Sequence, residues 1–523
     1  MSEAASVPES AGARPPAAVI LLAAGSGTRM KSKLMKVLHP LCGRSMIGHV
    51  LTAAQAVQAQ RLVAVVGNGR EQVGPHILER APDALLAVQE TQEGTGHAVR
   101  VAVDALRDAA GSTSGTVVVM AGDTPLLEGA TLAGLVAEHD RSNRAVTILT
   151  GEVDEPFGYG RIVRDAAGAV TAIVEQKDAS PEEASIHEIN SGIFAFDGDF
   201  LAEALGRIRN DNAKGEYYLT DVVGIAHADT RPVGAHKIDD VVQTEGANDR
   251  AQLAGLAAEL NRRILGRWMR EGVTIADPTT TWVDADVVLD RDVTLLPGVQ
   301  LLGATVVAED AVVGPDSTLR DVEVGRGAKV VRTHGELAVI GEHATVGPFS
   351  YLRPGTVLGA GGKIGAFVET KNAQIGDGAK VPHLSYVGDA EIGEGANIGA
   401  GTVFANYDGV NKHRTKVGQH AKTSSNNTFV APVEIGDGAV TGAGTVVRRD
   451  VPPGALAVSS GPQRNIEEWT LRKRAGTASA AAAEAALAEG GSSHEAGHQV
   501  ADKAAGEGQS EDSRRAATEE TQA

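Results

Sequence analysis

Apolar residues change their period twice along this chain. Between Ala18 and about Pro232 they come in short unbroken runs, Val19–Ala24, Leu62–Val66, Thr116–Met120 and Ala145–Leu149, bounded by Gly or Asp. Runs of that length without polar alternation fit strands buried on both faces. Stretches such as Ser45–Gln58 and Gly96–Ala109 lie between them and read as helices. The alternation predicts an open, doubly wound, parallel sheet, which takes ligands at the carboxyl ends of its strands. Two runs end there on suggestive loops, Gly25-Ser26-Gly27-Thr28-Arg29 and Gly122-Asp123.

The second pattern is helical. Leu253, Leu256, Leu260, Ile264 and Trp268 recur at spacings of three or four, which is one face of a helix. It should span 248–270, with Asn248 as its cap, and join two domains. From Val273 the period becomes six, an aliphatic residue followed by Gly: Val313-Gly314, Val324-Gly325, Ile340-Gly341, Val346-Gly347, Ile375-Gly376, Ile392-Gly393, Val417-Gly418 and Ile435-Gly436 are examples. This is the hexapeptide repeat of a parallel β-helix, each hexad forming one flat side with its aliphatic residue inside. A narrow coil should leave little room for rings. The polar stretch from Asn406 to Arg414 breaks the period and must project outward, where functional loops are common.

Composition adds limits. Glycine is abundant, 63 of 523 residues, and aromatics are 3%, as stacked coils require. The 67 acidic residues outnumber the 48 basic ones for a net charge of −19, a poor basis for nucleic-acid binding. The single cysteine, Cys42, rules out an internal disulfide and cysteine-based zinc clusters. No apolar run approaches the roughly 18 residues of a membrane span. The first 17 residues lack the basic start and apolar stretch of a signal peptide. A soluble cytoplasmic protein, without nucleic-acid or membrane partners, is expected. Residues 1–17 read as a disordered leader and 475–523 as a disordered tail rich in Ala, Glu, Ser and Gly.

Candidate chemistry follows from company rather than from single residues. The Gly25–Gly27 turn can bring backbone N–H groups close to a phosphate. It is neither a dinucleotide fingerprint nor a Walker A loop, since Met30 and not Gly follows and no Gly-Lys-Ser/Thr is present. Alone, it would be an ordinary strand-to-helix turn, Asp123 a helix cap and Lys36 a solvated charge. In the second half, Arg353, Lys371, His383, Tyr386 and Asn397 lie about one coil or less apart and should stack along one face. Arg and Lys suit a sugar phosphate. His383, with Glu369 available to orient it, suits a general base.

Leu22-Ala23-Ala24-Gly25-Ser26-Gly27-Thr28-Arg29-Met30 resembles the opening signature of sugar-phosphate nucleotidyltransferases. With Gln89, Gly94-Thr95-Gly96-His97, Gly158-Tyr159-Gly160-Arg161, Ile173-Val174-Glu175, Glu188-Ile189-Asn190-Ser191-Gly192 and Glu216–Asp221, residues 18–470 resemble one bacterial family. That family comprises the bifunctional N-acetylglucosamine-1-phosphate uridyltransferases and glucosamine-1-phosphate N-acetyltransferases. The resemblance implies a Rossmann-like nucleotidyltransferase domain (18–246), a linker helix (247–272) and a left-handed β-helix acetyltransferase domain (273–474). It implies that the substrates are UTP, N-acetylglucosamine-1-phosphate, glucosamine-1-phosphate and acetyl-CoA, and that the product UDP-N-acetylglucosamine feeds peptidoglycan and lipid A synthesis. It further implies Mg²⁺ on Asp123 and Asn248, and a homotrimer through the β-helix with the acetyl-transfer site between subunits.

Residue by residue, the resemblance puts Arg29 and Lys36 at the triphosphate and Gln89 and Thr95 at the uracil, with Gly25 lending backbone, and counts Leu22, Ala23, Ala24 and Gly94 among the residues that bind substrate. Gly160, Glu175 and Asn190 fall to the sugar, and Asn248 to substrate as well as metal. It makes His383 the general base and Glu369 its orienting carboxylate. Arg353, Lys371, Tyr386, Asn397 and Lys412 would bind glucosamine-1-phosphate. Ala400, Asn406, Tyr407, Ser425 and Ala443 would meet acetyl-CoA. Met35 stands where the family has Pro, and Ser460 where it often has a basic residue near the coenzyme phosphates, with Arg464 close by in sequence. A uridyltransferase whose β-helix only assembles would not need His383, Lys371, Arg353 and the Asn406-Tyr407 loop together. A non-catalytic scaffold would not need Asp123, Asn248 and Lys36 together.

Overall fold

A computed structural model describes residues 14–459, 461 and 463–489. Its chain falls into two compact units, one ending at Val458 and one starting at Ser459.

The first unit begins with the expected sheet. Its main path runs Val233–Lys237, Val146–Glu152, Glu188–Asp197, Thr116–Ala121, Ala18–Leu22, Leu62–Val66, Leu85–Val88, with the hairpin Gly160–Arg164/Val170–Val174 hanging from Glu188–Asp197. Ala18–Leu22 pairs in parallel with Leu62–Val66 on one side and Thr116–Ala121 on the other, so the strand order reverses there. Ligands bind such sheets at that switch point. The sheet departs from the all-parallel expectation at Glu188–Asp197, which runs antiparallel to both neighbours. That reversal is what carries Asn190 to the ligand end. The last leader residues also join the sheet: Pro16 O accepts from Gln60 N and Ala17 N donates to Thr116 O. Residues 1–13 lie outside the described residues.

The connecting helix runs Arg250–Arg270. Asp249, not Asn248, caps it, accepting from the N–H groups of Ala251 and Gln252. Asn248 is free of that duty because its side chain is committed elsewhere. The apolar face is used twice. Leu256 packs with Met30, Leu41 and Met46 of the first domain, while Ile264 and Trp268 join the core of the coils. Buried Asn261 donates to Thr281 O and accepts from Val283 N, which closes the open edge of the first coil.

The coils form a left-handed β-helix whose aliphatic residues stack in register; Leu301, Leu319 and Leu352, all fully buried, belong to one such column. Columns of left-handed backbone mark its corners. One holds Arg332, Phe349, Phe367, Leu384, Gly401, Asn426 and Gly444, and another Asp321, Leu337, Gly355, Asn372 and Asp389. Rings do fit inside. Phe404 and Phe429 are fully buried and meet edge to face at 5.0 Å, because successive coils place them in register at about the spacing of paired strands. The step from Gly395 to His420 at the third corner is longer than its neighbours, and the exposed loop at Asn406–Arg414 takes up the excess. The last strand of the coils is Leu456–Ala457.

In the second unit, Trp469–Lys473 and Ala478–Glu489 are helices. The latter corrects the expectation of an unstructured tail from 475: its alanine run has the highest helix propensity of any residue type. Residues 490–523 lie outside the described residues.

Candidate functional site

The first constellation sits at the switch point. Gly122 N donates to Leu22 O at 2.9 Å, which ties the two strand ends together, and Ala23 N donates to Val65 O. Gly27 has a left-handed backbone, and a Cβ there would strike the Lys36 side chain. The glycine is therefore what lets Lys36 lie against the turn. The Lys36 ammonium is 2.5 Å from Asp123 Oδ2 and 2.9 Å from Asn248 Oδ1, so one carboxylate and one amide oxygen converge on a single cation. Met35 has φ −61°, inside the range that proline would impose, and its sulfur packs on Gly69. The Met-for-Pro departure thus leaves Lys36 in place.

Around this centre, Arg29 is exposed in the turn Thr28–Met30, beside exposed Gly25. Buried Gln89 donates to Gly94 O at 3.2 Å, and Thr95 Oγ1 accepts from Leu219 N at 3.1 Å. Gln92, which sequence reasoning missed, donates to Ala24 O at 2.5 Å and fixes the glycine turn from the neighbouring loop.

Gly160, Glu175 and Asn190 also come together. Gly160 pairs with Asn190, and a Cβ on Gly160 would lie 3.5 Å from Asn190 Cβ and 3.6 Å from Glu175 Oε1. Burial pushes the Glu175 carboxyl up, against the pull of Lys214 and of the Thr220 hydroxyl 3.4 Å away. Asp221, also missed, is pushed up to about 6 by burial and then by Asp211, Glu175 and Asp178. Its only sequence signal was membership of the Glu216–Asp221 motif.

The second constellation lies on the coils, and it is divided. Arg353, Lys371 and Tyr386 stand on one face, where strands Ser350–Leu352, Glu369–Ile375 and Tyr386–Ile392 follow one another. The predicted sharing of one face by all five residues fails: His383 ends the strand Lys380–His383 of a different face, and Asn397 bridges to Lys380 on that same face. The corner at Leu384 separates them, because the strand turns there. Four residues of strand then separate that corner from Gly388, which pairs with Lys371, a span of roughly 13 Å. Glu369 does not orient His383 either; it accepts from Arg353 Nη1 at 2.9 Å. The exposed His383 ring stands just before the corner, while Glu369 stands past it.

The corner is where the residues assigned to acetyl-CoA line up. Gly401 N donates to His383 O, Asn426 N to Ala400 O, and Gly444 N to Ser425 O, so Ala400, Ser425 and Ala443 occupy equivalent steps of one column. Asn406 and Tyr407 instead start the loop. Asn406 is buried and Tyr407 is 59% exposed. The loop is a small hairpin closed between Tyr407 and Lys412 and braced by Asp408, which accepts from Val410 N, Asn411 N and His413. Those bonds hold the Asp408 carboxyl well below its usual range. Ser460 lies outside the described residues, and Arg464 belongs to the second unit.

Among the described residues no cluster of three or more His, Cys, Asp or Glu side chains has metal-binding geometry, and no helix is long and apolar enough to cross a membrane. Burial pushes the Cys42 thiol up to about 12, with Asp284 adding to the effect, which disfavours the nucleophilic thiolate.

Comparison with known proteins agrees with this geometry. Residues 19–183 match the MobA-like NTP transferase domain family. The chain is 59% identical over 473 residues to the bifunctional protein GlmU of Thermobifida fusca, covering 90% of this chain and 98% of that one. It is 56% identical over 475 residues to that of Streptomyces coelicolor, with 91% and 98% covered. With that of Kineococcus radiotolerans the figures are 58% over 471 residues, 90% and 95%.

Proposed function

The chain belongs to the family of the bifunctional protein GlmU, and from that premise we propose that it makes UDP-N-acetylglucosamine in two steps at two sites. The first step moves an acetyl group from acetyl-CoA to glucosamine-1-phosphate. The second joins N-acetylglucosamine-1-phosphate to UTP and releases pyrophosphate. The observation that carries the reading is the presence in one chain of both constellations: Lys36 between Asp123 and Asn248 at the switch point, and the cations Arg353, Lys371 and Lys412 on the coils.

Uridylyl transfer needs charge neutralisation and in-line positioning, with little covalent work for the protein. Asp123 and Asn248 offer two hard oxygens to one cation, which fits Mg²⁺, an ion that completes its shell with phosphates and water. When bound, it supplies charge neutralisation at the phosphates. Lys36 and Arg29 add positive charge there, and the Gly25–Gly27 turn adds backbone N–H groups. Gln89 and Thr95 would read the uracil, with Gly25 lending backbone. Gly160, Glu175 and Asn190 form the sugar pocket, aiming the sugar phosphate oxygen at the α-phosphorus.

In acetyl transfer, the sugar amine attacks the thioester carbonyl, His383 takes the proton from the amine, and the thiolate of coenzyme A leaves and is reprotonated. Arg353, Lys371, Tyr386 and Lys412 hold the sugar phosphate, and Ala400, Ser425 and Ala443 line the coenzyme column. His383 and Asn397 lie across a corner from Lys371, so one chain does not bring them to one small sugar. A homotrimer joins the two halves. In its support, Phe349, Phe367 and Leu384 form an exposed apolar ladder at that corner, the two rings stacked at 5.3 Å. Substrates of this kind place the enzyme in the cytoplasm.

Thiol release from acetyl-CoA with glucosamine-1-phosphate tests the reading. Release by the wild type and its loss in His383→Ala are expected. Pyrophosphate release from UTP without any thiol release would leave a uridyltransferase whose coils only assemble.

A further inference from the structure

Taking the acetyl-transfer reading as its basis, we propose that Asp389 is the positioning residue of that site, one buried anion that sets both the sugar-phosphate cations and the acyl-donor loop. Asp389 sits at a corner of the coil with φ 49° and is 9% exposed. Its Oδ1 accepts from Asn372 Nδ2 at 2.8 Å, and its Oδ2 accepts from Asn406 Nδ2 at 2.6 Å. The Lys371 ammonium is 3.7 Å from the same Oδ2. Asn406 opens the projecting loop, and that loop brings Lys412 back against Lys371. Asp389 therefore touches two elements from different coils and, through them, orders a third.

The electrostatics require such a group. Arg353, Lys371 and Lys412 crowd one patch, and Lys371 pushes the Lys412 ammonium below its ordinary value, with burial adding, while Asp389 pulls it back. Arg353 has its own carboxylate in Glu369. Without Asp389 the two lysines would face each other unbalanced, and long side chains with like charge would separate. Burial alone would push the Asp389 carboxyl up. The amides of Asn372 and Asn406, with the ammoniums of Lys371 and Lys412, outweigh it and keep the group ionised. Three cations against two carboxylates leave a patch that is positive overall and ordered, as a sugar phosphate needs.

Neighbouring Gly388 serves the same arrangement. A Cβ there would strike the Tyr386 hydroxyl and lie 2.7 Å from Asn406 Nδ2, so only glycine leaves room for both beside Asp389. Tyr386 OH is itself 3.4 Å from Asn406 Nδ2.

The test is Asp389→Asn in the full-length trimer, with both activities measured on one preparation. An amide cannot accept at both oxygens or balance the lysines. Acetyl-transfer kcat/KM should fall at least about tenfold, with KM for glucosamine-1-phosphate rising more than kcat falls. Uridylyl transfer should stay within about twofold of wild type, since the two sites share no residue. The charged groups facing Asp389 are Lys371 and Lys412, with Tyr386 beside its partner Asn406 and Arg353 acting on Lys412, so losing its charge should also move the alkaline limb of the acetyl-transfer profile to lower pH. Asn372→Ala keeps the charge and loosens the carboxylate; it should raise the same KM by less and leave the pH profile in place. It also serves if Asp389→Asn fails to assemble. Asp389→Asn within about threefold of wild type, or with a uniform loss and an unmoved profile, would overturn the role of Asp389 alone, as would Asn372→Ala with an unchanged KM for glucosamine-1-phosphate. Absence of acetyl transfer in the wild type would overturn the bifunctional reading and this role with it.

Discussion

The two halves of this chain assemble sites in opposite ways. In the α/β domain, topology does the gathering. Parallel strands end side by side, the order reverses between Ala18–Leu22 and Thr116–Ala121, and loops far apart in sequence meet there. Lys36, Asp123 and Asn248 come from three such segments, and the Lys36 ammonium lies within hydrogen-bond distance of both the others. The β-helix instead distributes chemistry. Each residue type stays in its own column, so Arg353 and Lys371 stand on one face and His383 on another, with a corner between. A convergent sheet can complete a site within one chain. On the proposed reading, a stack of columns borrows the missing column from a second copy.

The sharpest way to break that comparison is to remove the convergence point. Asp123→Ala takes the carboxylate from the shared cation, leaving Lys36 and Asn248 without a common anion. Uridylyl transfer should fall by about a thousandfold or more, as for loss of a principal charge-stabilising group. Acetyl transfer by the same preparation should be unchanged. Pyrophosphate release and thiol release, read in parallel, check both halves. A comparable fall in both would mean that the halves are not independent.

Complementation sharpens the other side. His383→Ala and Lys371→Ala should each abolish most acetyl transfer. If each site takes His383 from one copy and Lys371 from the next, trimers refolded from an equal mixture should regain about one quarter of wild-type activity, because that share of interfaces pairs two intact halves. If one chain supplied both residues, the mixture would regain nothing. The corresponding mixture of Asp123→Ala with Glu175→Ala should recover no uridylyl transfer.

The same contrast decided what was legible from sequence. Periodicity revealed both folds, since the hexads from Val313 to Ile435 and the buried runs at Val19 and Leu62 map directly onto strands. Motif resemblance named Lys36, Asp123 and Asn248, and the structure brings them together. It also named His383 and Glu369 as neighbours, and here the corner at Leu384 intervened; spacing along a repeat does not say which face a residue joins. Asp249 displaced Asn248 as the helix cap because Lys36 had already engaged the Asn248 side chain, a contact across 212 residues that no local pattern reveals. Gln92, Asp221 and Asp389 were missed for a similar reason. Each acts through partners on other segments, and none breaks a local pattern.

The smallest effect concerns the cost of convergence. Gathering polar loops also gathers carboxylates, and Asp221 shows it: half-buried near Asp211, Glu175 and Asp178, its pKa rises from 3.8 to about 6. A carboxyl raised on folding destabilises the native state when ionised. The cost is therefore full above about pH 6 and disappears as pH falls toward 4. A shift of this size would correspond to about 3 kcal/mol, and solvent screening of a half-exposed group reduces that to on the order of 1 kcal/mol. Asp221→Asn should accordingly raise the unfolding midpoint of the α/β domain by a few degrees at pH 7.5 and by nothing at pH 4. Calorimetry at the two pH values checks it. On the coils, Asp284 is also pushed up, chiefly by burial with Asp286 and Asp321 adding, whereas Glu369 is paired with Arg353. An equal gain at both pH values would mean that Asp221 is costly for its shape rather than its charge, and that convergence at this sheet end carries no electrostatic penalty.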